Sequence, residues 1–387
     1  MEKIKIIEII GESTLSGGST SFLTLVRGLN KKRFDVSCIA PPGPLVGRLK
    51  EIKDVEVFTI PMRSKWDFAA IRKIRKTIIP YFQFSAPVII HCHGTRGGLL
   101  GRLASIGSFQ NPPKVVYTEH LWTREYRLAN PFSHFGQLFF LWFLDLFTDM
   151  TIAVSSAVAD FLLKKRITLP QKITVVYNGI EPKERKKAHP KPGKKEINIG
   201  FVGSLTKRKG VEYLLRAFAK LQPRSAKLLI VGEGEEKKSL LKLAENLGIK
   251  EKIEFTGIIS DISTIYPTLD VYVQPSIDEA FGIAVLEAMS FGVPVVASRV
   301  GGLCEILKDV SDKSDNKPFV KTELGLLVPP KNPSALAEAL KYMIAHKDFR
   351  ETAAKNGQKR AKLFSAENMV QSIEKIYTTL VKTPKKL

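Results

Sequence analysis

Apolar and polar positions alternate in the opening "KIKIIEII", a period of two that predicts a strand. The glycine-containing loop "GESTLSGGST" follows, and "FLTLVRGLN" then changes to helical spacing. Short apolar runs, "VSCIA", "PVIIHCHG", "KVVYTEH" and "MTIAVS", alternate with helix-length segments through the first half. That rhythm is βαβ grammar and predicts a mainly parallel sheet. Hydrophobic residues vanish at "EPKERKKAHPKPGKKE", residues 181–196, where prolines and lysines collect as in a linker. The rhythm then resumes with "INIGFVG", "AKLLIVGEG", "IEFTG", "VYVQPS" and "VPVVAS", interleaved with "VEYLLRAFAKL" and "KSLLKLAENLG". "AENMVQSIEKIYTTLV" closes the chain as an amphipathic helix.

The expected fold class is therefore α/β, with two Rossmann-like domains facing each other across a central cleft and the linker as hinge. The boundaries are an N-terminal domain 1–180, a basic linker 181–196, a C-terminal domain 197–365 and a closing helix 366–387. Ligands of such sheets bind at the carboxyl ends of the strands, so the loops there carry the candidate chemistry.

Length supports two domains, since 387 residues exceed one ordinary core. Charge changes the picture more. The formal net charge of +22 is spread through the chain, richest in the first half and the linker. A nucleic-acid partner is not expected, because no helix-turn-helix, zinc-finger spacing or RNP-like aromatic motif accompanies it. An anionic membrane surface fits better. Cys38, Cys92 and Cys304 lie far apart with no C-x-x-C pair, which argues against disulfide scaffolding or structural zinc and for a reducing, cytoplasmic setting. The first apolar run is short and interrupted by Glu8, so no signal peptide is expected, and no run is long enough to span a bilayer. The densest stretch, "FSHFGQLFFLWFLDLF" at 132–147, has two readings: a buried core helix or a helix contacting a membrane.

Two loops of the second half stand out. In "PSIDEAFGIAVLEAMSFGVPVVAS", Glu279 and Glu287 bracket seven mostly small or apolar residues. A helix beginning near Gly282 leaves backbone N–H groups around Phe281, Gly282 and Ile283 for an anion such as a diphosphate. Glu279 sits just before that point and Glu287 more than one turn beyond it. Carboxylates accept from hydroxyls, so the matching ligand has phosphate in the middle and hydroxyl-bearing rings on both sides. A lone charge among Ala284, Val285, Leu286, Ala288, Met289 and Phe291 needs a partner, which makes an idle Glu287 a poor reading. "GFVGSLTKRKGVEYLL" adds Arg208 and Lys209 ahead of Gly210, where cations offset the charge growing on a leaving diphosphate.

The Gly17-Gly18 loop, "HCHG", "YTEH", "AVS", "YNGI", "GFVGSLTKRKG", "VGEG", "FTG", the E-x7-E block, "GLLVPPKNPSALA" and the closing helix, in that order, resemble the retaining glycosyltransferases of family four. The resemblance covers nearly the whole chain. It implies the GT-B fold, with the closing helix packed back toward the N-terminal domain, and a nucleoside-diphosphate sugar, UDP expected, held by the C-terminal domain. By the same resemblance Glu287 holds ribose hydroxyls, Glu279 faces the transferred sugar, the amides of Phe281, Gly282 and Ile283 bind diphosphate or sugar, and Lys209 binds phosphate. Ser204 stands where many members have arginine, with Arg208 as the expected substitute. Gly18 matches the glycine loop near the donor phosphates, and His120 the active-site histidine. His91 and His93, at a strand end, are expected on opposite faces, with His93 toward the cleft. Asn178 and Gly179 read as a structural turn. No Asp-x-Asp occurs, so no metal or other cofactor is expected. The implied activity is retaining hexosyl transfer to a lipid-linked or polysaccharide acceptor in cell-envelope glycan synthesis, peripherally at the inner face of a membrane. A sugar-nucleotide 2-epimerase of the same architecture, or a non-catalytic nucleotide-sugar-binding protein, is the alternative.

Overall fold

A computed structural model describes residues 3–83, 86–107, 109, 111–123, 131–181, 196–221, 226–259, 261–309 and 317–382. The linker between 182 and 195, and residues 383–387 of the expected closing helix, lie outside these. The chain divides into two compact units, Met1–Gly179 with Ala366–Leu387, and Ile180–Ser365.

The first unit is built on seven parallel strands: β1 (Ile4–Ile10), β2 (Phe34–Ala40), β3 (Val55–Thr59), β4 (Val88–His93), β5 (Lys114–Glu119), β6 (Met150–Ala153) and β7 (Ile173–Val175). Their order is β3-β2-β1-β4-β5-β6-β7. The direction of winding therefore reverses between β1 and β4, the position at which open α/β sheets bind ligands. The helix Gly17–Gly28 after β1 starts on a capping box in which Ser16 and Ser19 satisfy each other's backbone N–H. Apolar residues of β1, β2 and that helix, among them Ile6, Phe22, Val26 and Val36, form the core together with Met369, Val370 and Ile373 of the helix Ala366–Lys382. A Cβ on Gly28 would lie 2.6 Å from Val370 Cγ2, so the missing side chain is what lets the closing helix approach. Asn178 and Gly179 lie beside the same contact: Ser21 Oγ donates to Asn178 Oδ1 at 2.7 Å, and the Gly179 N–H meets Met369 Sδ at 3.1 Å.

The second unit repeats the plan with β8 (Ile197–Val202), β9 (Ala226–Val231), β10 (Ile253–Gly257), β11 (Val271–Gln274), β12 (Val295–Ser298), β13 (Val320–Lys321) and β14 (Gly325–Val328). The order is β10-β9-β8-β11-β12-β14-β13, parallel except for the β13–β14 pair. Here the reversal falls between β8 and β11. Ile199, Phe201, Leu228, Ile230, Val271 and Val273 from the central strands meet Leu214, Leu215 and Leu340 from flanking helices in its core.

The stretch 132–147 is not a core helix. It folds as the helix Pro131–Asp145, with Leu141 and Leu144 buried but Phe132 88% and Phe135 71% exposed and Phe139 and Trp142 also in solvent. The run has more aromatic residues than one helix face can bury, and the surplus forms an exposed ladder, Phe139 lying 5.7 Å from Trp142 and 6.5 Å from Phe143 between ring centroids. Among the described residues no helix is long and apolar enough to cross a membrane.

Candidate active site

In the second unit the loops after β8 and β11, on either side of the reversal, are stitched together by the Ile277 N–H donating to the Arg208 carbonyl at 2.8 Å. Gly210 makes this approach possible. Its φ is 64°, and a Cβ there would fall 2.2 Å from the Pro275 carbonyl oxygen. The stitch brings Lys209 Nζ to 2.6 Å from Glu279 Oε2. Ser276 Oγ donates to the same oxygen at 3.0 Å and Gln274 Nε2 at 3.4 Å, while Gln274 Oε1 accepts from the Tyr272 hydroxyl at 2.6 Å. All three donors converge on Oε2, and among the described residues Oε1 has no hydrogen-bond partner. Glu279 is 7% exposed. Burial pushes its carboxyl up, but Lys209 and then Arg208 overcome this and hold it below the ordinary value. Arg208 also lies 3.6 Å from the Asp278 carboxylate. Ser204 is exposed on the same loop, and its carbonyl accepts from the Thr206 N–H at 3.0 Å.

Gly282, with φ 117°, is the N-cap of the helix Ile283–Ser290, and its carbonyl accepts from the Val285 and Leu286 N–H groups at 3.0 and 3.3 Å. A Cβ at Gly282 would lie 2.6 Å from Leu303 Cδ2. Phe281 is buried, its ring edge-on to Phe364 at 5.8 Å. Glu287 has its partner within the unit: the hydroxyl of fully buried Tyr266 donates to Oε2 at 2.8 Å. Tyr266 lies 5.9 Å from Tyr272 between ring centroids, so a file of buried polar rings runs from Glu287 toward Gln274 and Glu279. Tyr266, Tyr272, Gln274, Ser276 and Asp278 escaped sequence reasoning. Gln274 and Ser276 carried a usable signal, being polar residues two apart where an apolar strand ends.

In the first unit Gly18 lies in the first turn of the helix Gly17–Gly28 and not in a loop, and a Cβ on it would lie 3.9 Å from His120 Cγ and 3.2 Å from Glu12 Oε1, so that turn passes close to the histidine. His120 follows β5, and the loop beyond it is pinned by Glu119, whose Oε1 accepts from the Leu121 and Trp122 N–H groups at 2.8 and 3.3 Å. His91 and His93 share one face of β4, contrary to the expectation above. Residues two apart on a strand of period two point the same way, and the two rings lie 3.9 Å apart between centroids. Both are buried against Glu8 in the centre of the sheet. His93 Nε2 is 2.8 Å from Glu8 Oε2, and the Tyr377 hydroxyl of the closing helix donates to Oε1 at 2.7 Å. His91 Nδ1 lies 2.5 Å from the Tyr377 hydroxyl and its Nε2 2.7 Å from Thr118 Oγ1. Burial would raise the Glu8 carboxyl, but His91 and His93 hold it well below the usual carboxylate range, while burial and His91 lower His93 to about 4. Glu8, His91 and His93 offer three ligand atoms within 4.8 Å of one another. Two ligands on tetrahedral zinc sit roughly 3.3 Å apart. The His93–Glu8 contact of 2.8 Å is a hydrogen bond instead.

Two Rossmann-like sheets, each with polar loops at the carboxyl ends of its central strands, define the GT-B class of fold. Similarity to known proteins sharpens the class. The glycosyltransferase family 4 model matches residues 15–184 and the glycosyl transferases group 1 model residues 182–360. The capsular polysaccharide biosynthesis glycosyltransferase CapM of Staphylococcus aureus is 26% identical over 388 aligned positions, covering 93% of this chain and 95% of that protein. The UDP-Gal:alpha-D-GlcNAc-diphosphoundecaprenol alpha-1,3-galactosyltransferase of Escherichia coli is 27% identical over 332 residues, covering 80% of this chain and 83% of that protein. The crystal structure of Anabaena Alr3699/HepE in complex with UDP superposes with a TM-score of 0.76 at 20% identity, covering 98% of this chain and all of that one. The chain belongs to the GT-B glycosyltransferases, with a family 4 N-terminal region and a group 1 C-terminal region.

Proposed function

We propose that this glycosyltransferase moves a hexose or related sugar from a nucleoside-diphosphate sugar, with UDP the expected nucleotide, to a lipid-linked or polysaccharide acceptor in cell-envelope glycan synthesis, with retention at the anomeric carbon. The observation that carries the reading is the Lys209–Glu279 pair at 2.6 Å, set just ahead of the N-terminus of the helix Ile283–Ser290. Lys209 and Arg208 offset the diphosphate charge, and the N–H groups at Phe281, Gly282 and Ile283 donate to diphosphate or sugar, with Ser204 on the same loop. Oε1 of Glu279 accepts from a hydroxyl of the transferred sugar. Glu287 holds the ribose hydroxyls, and Gly18 and His120 of the first unit serve the donor from the acceptor domain. The bond from the anomeric carbon to the diphosphate breaks, a bond to the acceptor oxygen forms on the same face, and the acceptor proton passes to a diphosphate oxygen. Cationic side chains and amides replace a metal in this scheme.

The E. coli relative is named for a sugar acceptor on diphosphoundecaprenol, which supports a lipid-linked acceptor here. A cytoplasmic enzyme held peripherally on an anionic inner leaflet fits the exposed aromatic face of the helix Pro131–Asp145 and the net charge of +22.

A thermal-shift panel of nucleoside diphosphates and their sugars tests the donor: a ligand at one hundred times its Kd stabilises by about 2.7 kcal/mol, so the fitting base and sugar stand out. Product analysis with donor alone and with donor plus acceptor tests the reaction. Epimerised free donor would overturn transfer in favour of a 2-epimerase, and binding without turnover would leave a non-catalytic binder. Activity abolished by EDTA and restored by a divalent cation would overturn the metal-free scheme.

A further inference from the structure

The buried polar file in the first unit has a direction. Glu8 is acceptor-only as a carboxylate, and its two oxygens receive the Tyr377 hydroxyl at 2.7 Å and His93 Nε2 at 2.8 Å. His93 must therefore carry its proton on Nε2. Its other nitrogen, Nδ1, faces His120 Nε2 at 3.3 Å. A neutral ring with Nε2 protonated has only a lone pair at Nδ1, so His120 has to be the donor in that contact. Phe22 stands edge-on to His93 at 5.0 Å, and the His93 and His120 rings lie 5.6 Å apart at 25°, which holds the pair in register.

We infer that Glu8 and His93 are positioning residues that dictate which nitrogen of His120 is protonated: Nε2 carries the hydrogen toward His93, and Nδ1 is left as a lone-pair acceptor for substrate. Among the described residues His120 makes its ring hydrogen bond through Nε2, and Nδ1 has no hydrogen-bond partner. The inference rests on the reading that His120 serves the donor sugar, and it deepens it. A neutral His93 is consistent with its pKa of about 4, which burial and His91 lower. Tyr377 reaches Oε1 of Glu8 from 369 positions away in sequence, while Oε2 faces His93 Nε2 at 2.8 Å and His91 Nδ1 at 3.3 Å, so the far end of the chain completes the relay.

The experiment uses the intact chain with ring-15N-labelled histidine, tractable because it has six histidines. Long-range 1H–15N spectra at neutral pH should show His120 with a protonated Nε2 and a bare Nδ1, and its ring N–H protected from exchange. In His93→Phe, which keeps an aromatic ring in place, that N–H should exchange with solvent and its signal vanish. In Glu8→Gln one of two acceptors becomes a donor, so the His93 Nε2–H and the Tyr377 hydroxyl compete, and the His120 signal should weaken; kcat should drop about tenfold, the worth of one hydrogen bond, with KM for the donor unchanged. A protonated Nδ1 on His120 in the unmodified protein would overturn the inference even if neither variant folds. So would a His120 N–H unaffected by His93→Phe. Wild-type transfer by His120→Ala would instead remove the catalytic reading of His120 and leave the tautomer result standing.

Discussion

Replacing Glu279 by alanine breaks the Lys209–Glu279 pair from one side. The two groups lie 2.6 Å apart, with side chains 17% exposed for Lys209 and 9% for Glu279. Removing one partner of a buried pair costs about 3–5 kcal/mol because the other charge is left desolvated. Lys209 keeps some contact with water, so the lower end applies, about 3 kcal/mol. In a unit of this size each kcal/mol moves Tm by roughly 2–4 °C, so the transition of Ile180–Ser365 should fall by about 6–12 °C. Lys209→Met should cost less, about 1–2 kcal/mol, since Glu279 keeps its bonds from Ser276 and Gln274. The double variant leaves neither charge stranded and should lie at least about 2 kcal/mol above the sum of the single changes. Calorimetry on the four proteins measures this coupling. Additivity within about 0.5 kcal/mol would refute the claim that the two charges act as a pair. The pH dependence has a fixed sign. Lys209 and Arg208 depress the folded Glu279 pKa against the effect of burial, so the stabilisation is fully present above the unfolded glutamate value of about 4.3 and is lost as pH falls through the lower folded value. The gap between wild type and Glu279→Ala should therefore be constant near neutrality and close under acid.

Glu287→Ala should weaken nucleoside-diphosphate binding by at least tenfold, from loss of charge-assisted hydrogen bonds worth about 1.5–3 kcal/mol, as read by calorimetric titration. Tyr266→Phe, which removes only the 2.8 Å bond to Glu287, should weaken it less. Gly282→Ala should destabilise the second unit by about 1–3 kcal/mol in urea, because φ 117° strains any L side chain and the new Cβ would meet Leu303. Replacing Phe139 and Trp142 together by serine should leave Tm nearly unchanged but reduce co-sedimentation with anionic vesicles. Equal binding of the unmodified protein to neutral and anionic vesicles would refute the electrostatic part of the anchor.

The chain pattern made the two mainly parallel sheets legible, because strands buried on both faces read as short continuous apolar runs and amphipathic helices leave a period of 3.6. The Lys209–Glu279 pair was legible as two loops, each suited to an anion, although 70 positions separate the residues. Tyr266 was not legible: its role depends on a chain crossing that no local pattern records, and a tyrosine in "STIYPTLD" looks like any loop aromatic. The relay through His93 was half legible. Placing His91 and His93 on one face needs only the strand period, but the Tyr377–Glu8 bond spans 369 positions and exists because the closing helix returns to β1. Glu8 itself carried the plainest signal. A charge among apolar neighbours must have a partner, and what holds for Glu287 holds with greater force for Glu8, which lies between Ile7 and Ile9 in a strand buried on both faces. A carboxylate at that point can stay ionised only if donors from other strands reach it. The two histidines of β4, its parallel neighbour, are the groups nearest in register, with Glu8 opposite His91 and Ile10 opposite His93.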